Sequence, residues 1–153
     1  MNILYVAQFH ETCGYSHAAL GYLKSISSVV ENFKDINFKI ISVSLNSYQL
    51  DPKVYKKKVN YENLKQIEKF HVSNQEELNN ILDSDYICIW HMTSAMPLIE
   101  KIMKSKKASY HNGLDCTLEG LILGSTQNYH ILAWETSDIP GETPRLLRST
   151  NLN

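Results

Sequence analysis

The chain has 153 residues, 43% of them hydrophobic, with fifteen Lys and Arg against sixteen Asp and Glu for a net charge of -1. That is enough chain for one domain with a proper core. Near-neutral charge excludes a nucleic-acid binder that relies on a global basic field, and the run Lys56-Lys57-Lys58 reads as a solvated loop.

Residues 2–7 form an apolar run at the N-terminus and predict a buried parallel strand. They carry no basic leader, and Gln8 and His10 break the run, so they do not read as a signal peptide. Residues 8–15 are polar, contain Gly14 and predict a loop. From Ser16 to Phe33 apolar residues recur at helical spacing, at Ala19, Tyr22, Leu23, Ile26, Val29, Val30 and Phe33, with Ser16 as the expected cap. Phe38 to Leu45 is rich in β-branched residues and predicts a second strand, completing a right-handed βαβ unit.

Asp51-Pro52 marks a turn within polar residues 46–60, and residues 61–70 are weakly helical. Ser73-Asn74-Gln75-Glu76 fits a capping box ahead of an apolar face of Leu78, Ile81 and Leu82. Tyr86 to Trp90 predicts a buried strand that ends at His91. Pro97 suits the first turn of a helix running through Leu98, Ile99, Ile102 and Met103. Residues 108–111 predict a short strand, Asn112-Gly113 a turn, and Leu114 to Leu123 a short helix stopped by Gly124. His130 to Trp134 is the last expected strand, and Gly141 to Asn153 has no clear period. Alternating strands and helices predict an α/β fold with a mostly parallel sheet, a Rossmann-like three-layer domain over residues 1–153.

Cys13, Cys88 and Cys116 are widely spaced and odd in number. They suggest neither a zinc site nor a disulfide framework, and fit reduced thiols in a cytoplasmic protein. No stretch approaches the length of a membrane span. The six histidines lack the spacing of a metal pair, so no metal is expected. No Gly-x-Gly-x-x-Gly fingerprint is present for a dinucleotide cofactor, and no Gly-x-Ser-x-Gly elbow for a hydrolase.

Three places carry candidate chemistry. Gly14-Tyr15-Ser16 opens the first helix, where backbone N–H groups suit an anion such as phosphate; a plain turn is the competing reading. His91 closes a buried strand, where an imidazole accepts a proton, donates to a sugar hydroxyl or holds the backbone. Trp134 and Glu135 end the last strand. An aromatic face and a carboxylate there suit carbohydrate recognition, or else fill and brace the sheet-helix junction.

The order of these features carries a resemblance. Met1 to Ala7 leads into a Gly14-Tyr15 loop with Ala18-Ala19 in the next helix; one strand ends in His91 and another in Trp134-Glu135-Thr136, followed by Asp138-Ile139-Pro140. This is similar to the N-terminal, acceptor-side domain of the GT-B "group 1" nucleotide-sugar glycosyltransferases. The resemblance implies a transferase domain, one half of a GT-B fold, with His91 and Glu135 as catalytic candidates. Gly14, Tyr15, Ser16 and Trp134 would bind substrate. The substrates would be a nucleotide sugar and a glycan or other acceptor, with no further cofactor and no bound metal.

Such enzymes carry a second, donor-binding domain, and nothing after Pro140 resembles one. The expectation is therefore a truncated or stand-alone half that is inactive alone and pairs with a second domain or as a homodimer. The competing expectation is a non-catalytic binding or interaction module on a Rossmann-like fold.

Overall fold

The computed structural model describes residues 1–9, 14–43, 61–91 and 114–131. In chain order the elements are β1 (Asn2–Ala7), α1 (Gly14–Val30), β2 (Asn37–Ser42), α2 (Tyr61–Phe70), α3 (Gln75–Leu82), β3 (Tyr86–His91), α4 (Leu118–Gly124) and β4 (Gln127–Ile131). The four strands pair in parallel in the order β2-β1-β3-β4. The fold is α/β and Rossmann-like, with helices on both faces of the sheet.

The sheet explains its own sequence. Leu4, Tyr5, Val6 and Ala7 of the central strand are fully buried, because helices cover both faces and no solvent side calls for polar residues. Leu4 and Val6 face one core layer with Ile41, Cys88, Trp90, Leu78, Ile81, Leu118 and Leu121. Tyr5 and Ala7 face the other, with Phe38, Ile40, Ala19, Leu20, Leu23, Ile67 and Phe70. Alternation along each strand thus sends successive residues to opposite layers. The Lys39 ammonium pairs with the Glu77 carboxylate, joining β2 to α3.

Several boundaries differ from the sequence expectation. Helix α1 starts at Gly14, so Ser16 is not its cap and lies buried in the first turn. Its buried face is Ser16, Ala19, Leu20, Leu23 and Ser27. Tyr22, Val29 and Phe33, expected in that face, are 46%, 56% and 54% exposed. Tyr22 and Val29 lie on a different stripe of α1 from the buried face, and Phe33 lies beyond the end of the helix at Val30. The stripe with small residues at Ser16, Ala19 and Ser27 lets the helix backbone approach the strands, which the bulkier stripe would not allow.

The cap of α3 is Asn74 rather than Ser73. Its extended backbone lets the side chain accept from the Glu77 N–H at 2.9 Å, while Glu77 Oε2 accepts from the Ser73 N–H at 2.6 Å. The cap therefore sits one residue further on than expected, and the return bond from Glu77 reaches the residue before the cap rather than the cap itself. Helix α4 begins at Leu118 instead of Leu114, capped by Thr117, whose hydroxyl accepts from the Gly120 N–H at 2.9 Å. Just before it, Asp115 is tied to α3, its N–H donating to Gln75 Oε1 at 2.7 Å. Strand β4 begins three residues before the expected His130. The expected Pro97 helix, the strand at 108–111 and the tail after Pro140 lie outside the described residues. Among the described residues no helix is long and apolar enough to cross a membrane.

Candidate functional site

The chain leaves β1 for β2 on one side of it and later returns to β3 on its other side. Between β1 and β3 the connections run off in opposite directions, which makes this the topological switch point of the sheet, and the carboxyl ends of strands at such a point are the usual ligand position. Ala7 and His91, the last residues of these strands, are register partners there.

His91 faces the α1 side of the sheet, the same side as Tyr5. Tyr5 pairs with Ile89, so it is the diagonal neighbour of His91, within reach of a long side chain. The Tyr5 hydroxyl and His91 Nδ1 form a buried hydrogen bond of 2.7 Å, and the two rings lie 15° from parallel with centroids 6.2 Å apart. Helix α1 adds Tyr22, edge-on to the imidazole at 5.3 Å, and Tyr15 at 6.2 Å. Phe9 meets Tyr5 edge-on at 5.3 Å, and Phe38 lies tilted against it at 6.4 Å. The spacing of Tyr15 and Tyr22 is two helical turns, which sets both on one side of α1.

The electrostatics follow from burial. His91 is 1% exposed. Loss of solvent lowers its pKa and keeps the ring neutral. Burial, with Tyr22 nearby, raises the Tyr5 phenol well above its ordinary range. The pair therefore offers hydrogen bonding without charge. It can hold a hydroxyl or phosphate oxygen, and its imidazole can take a proton once a ligand supplies a stabilising charge.

His71 is a second buried imidazole, bridged to Ile40 at the β2 edge of the sheet, whose Nδ1–H donates to the Val72 carbonyl at 2.8 Å. Burial, followed by the Lys39 charge, lowers its pKa against the opposing effects of that carbonyl and Glu77. For both histidines the folded pKa lies below the unfolded value, so the unfolded chain binds more protons in the window below about pH 6.5. Their contribution to stability is complete above that pH and is lost as pH falls through the window. Melting temperatures at pH 7.5 and 5.5 should show a clear drop at the lower pH, and equal values would refute this linkage.

The remaining candidates fall as follows. Gly14 is the first residue of α1, and a Cβ added there would meet nothing within 4 Å. Tyr15 joins the His91 cluster, whereas Ser16 is turned inward. Trp134 and Glu135 lie outside the described residues. Cys88 is buried, its thiol pushed up to about 12, and Cys116 is pushed up to about 11 by burial and Asp115. Both therefore stay protonated and unreactive. Among the described residues no three His, Cys, Asp or Glu side chains gather as a metal-binding group. Sequence reading missed Tyr5 and Tyr22. The available signals were the helical spacing of Tyr15 and Tyr22 and the alternation that puts Tyr5 and His91 on one face.

No protein-family model matches the chain, and no curated protein or solved structure matches it either.

Proposed function

We propose that the chain is the acceptor-side domain of a GT-B glycosyltransferase, which transfers a glycosyl unit from a nucleotide sugar to an acceptor when a donor-binding domain completes the cleft. The observation that supports this reading is His91 at the carboxyl end of β3, at the β1–β3 switch point and flanked by Tyr15 and Tyr22. In this reading the neutral imidazole hydrogen-bonds a hydroxyl of the transferring sugar, and the tyrosine rings offer apolar faces to sugar C–H groups. The first turn of α1, from Gly14, supplies N–H groups toward phosphate oxygens. Trp134 and Glu135 shape the acceptor edge. The site works in the cytoplasm, without a bound metal or added cofactor, and its partner is a second domain or a second copy of the chain.

A non-catalytic interaction module is the second reading. The near-complete burial of His91 favours it, since a closed imidazole braces a fold as well as it serves a substrate.

Titration calorimetry with a panel of nucleotide sugars separates the two. Saturable binding that weakens about tenfold in His91→Ala, the loss of roughly one neutral hydrogen bond at the upper end of its usual worth, supports the transferase reading. The variant must keep a wild-type circular dichroism spectrum for the comparison to count. Absence of binding to wild-type protein mixed with a donor-binding domain would sink that reading and leave the module.

A further inference from the structure

We infer that Tyr5 is a positioning residue whose hydroxyl donates to His91 Nδ1 and fixes the imidazole in its Nε2-protonated tautomer, presenting an N–H donor to a ligand oxygen at the carboxyl ends of β1 and β3. The ligand's role rests on the glycosyltransferase reading; the tautomer does not.

The argument is one of proton accounting in a dry site. Burial keeps both groups neutral, so the phenol has one proton to donate and the imidazole has one donor and one acceptor nitrogen. Among the described residues His91 Nδ1 is the hydroxyl's one hydrogen-bond partner, and the hydroxyl is the imidazole's. Suppose Nδ1–H donated to the phenol oxygen. The phenol proton would then lack an acceptor amid apolar rings, leaving one buried donor unsatisfied. With the phenol donating, no buried donor is left over, because Nε2 is not sealed from the surface and its N–H can be met from there. Unsatisfied buried polar groups are costly, so the second arrangement prevails.

Geometry holds the donor in place. Phe9 abuts the Tyr5 ring edge-on and Phe38 lies against it. Tyr5 is fully buried in the central strand, so rigid neighbours limit movement of its hydroxyl. A preset tautomer spares a ligand the cost of selecting it, which raises affinity without a new contact.

Long-range proton–nitrogen NMR on the full chain above pH 7 tests this, with the His91 signals assigned by their absence in His91→Ala. The expected wild-type pattern is a protonated Nε2 and a bare Nδ1. In Tyr5→Phe both nitrogen shifts should move toward their tautomer average, and nucleotide-sugar affinity should fall roughly fivefold. Tyr22→Phe should leave the tautomer unchanged. A protonated Nδ1 in the wild type, or an unaltered pattern in Tyr5→Phe, would overturn the inference. The wild-type spectrum decides even if Tyr5→Phe fails to fold. A tautomer that responds to Tyr5→Phe in a chain that binds no nucleotide sugar would keep the positioning role and remove the transferase reading. Binding with an unresponsive tautomer would do the reverse.

Discussion

Replacing Trp90 with alanine is expected to cost about 3–5 kcal/mol of unfolding free energy, the largest single loss foreseen in this chain. Trp90 is 1% exposed and heads the largest fully buried side chains. It shares a core layer with Val6, Val43, Cys88 and Leu114. Truncation leaves a cavity that β3 cannot close without breaking its pairing to β1 and β4, so both the transfer and the cavity cost apply. Against a total stability of about 5–15 kcal/mol for a domain of this kind, such a loss leaves a marginal fold. The position also matters for the site. Trp90 immediately precedes His91 on the strand and points to the opposite layer, so a void beneath it loosens the backbone that carries the imidazole.

Among the described residues Trp90 Nε1 has no hydrogen-bond partner, and its desolvation is a cost already present in the native protein. Trp90→Phe discards that unsatisfied donor while keeping an aromatic ring, and is expected to lose less than half as much. Urea denaturation followed by far-ultraviolet circular dichroism measures both. An alanine variant that loses less than about 1 kcal/mol would show that the layer around Trp90 collapses freely.

How far the sequence reveals this molecule depends on where each element sits. Strands β1 and β3 are readable because a parallel strand covered on both faces needs apolar residues throughout, and Asn2–Ala7 and Tyr86–His91 are almost uninterrupted. Strand β4 is harder. It opens with Gln127 and Asn128, and the Asn128 side chain is buried within the strand despite its polarity, so the apolar cue arrives late. In α1 apolar residues fall on two different stripes, and periodicity alone cannot choose between them. Packing selects the one with small residues.

The site divides in the same way. His91 is legible as the residue that ends a buried strand. Its link to Tyr5 spans 86 positions, and no local spacing encodes such a contact; it follows from the strand register, which fold topology sets. A tyrosine inside an apolar run reads as core, which Tyr5 also is, and its hydroxyl gains meaning only when a partner is placed against it.

Register also governs the junction of α4 and β3, where a single methyl group is expected to do unusual damage. Gly124 ends α4, and a Cβ there would lie 2.8 Å from the Tyr86 hydroxyl oxygen and 3.7 Å from its Cζ. That hydroxyl is not free to yield. It donates to the Leu121 carbonyl at 2.7 Å from a ring that is almost wholly buried, and burial has pushed its pKa up to about 12. Gly124→Ala must displace the ring or break the bond, at about 1–3 kcal/mol. The better helix propensity of alanine returns at most about 1 kcal/mol, so a net loss of roughly 1–2 kcal/mol is expected.

Tyr86→Phe alone should lose about 1 kcal/mol through the missing hydrogen bond. In that background the atom facing the new methyl is the ring carbon at 3.7 Å, an ordinary van der Waals contact. Gly124→Ala should then be neutral or slightly stabilising. A double-mutant cycle in urea is expected to give a coupling of at least about 1 kcal/mol, and simple additivity would refute the steric account. Because this clamp binds α4 to the first residue of β3 while His91 stands at the last, the variants should lower stability and leave the tautomer of His91 as it is in the wild type.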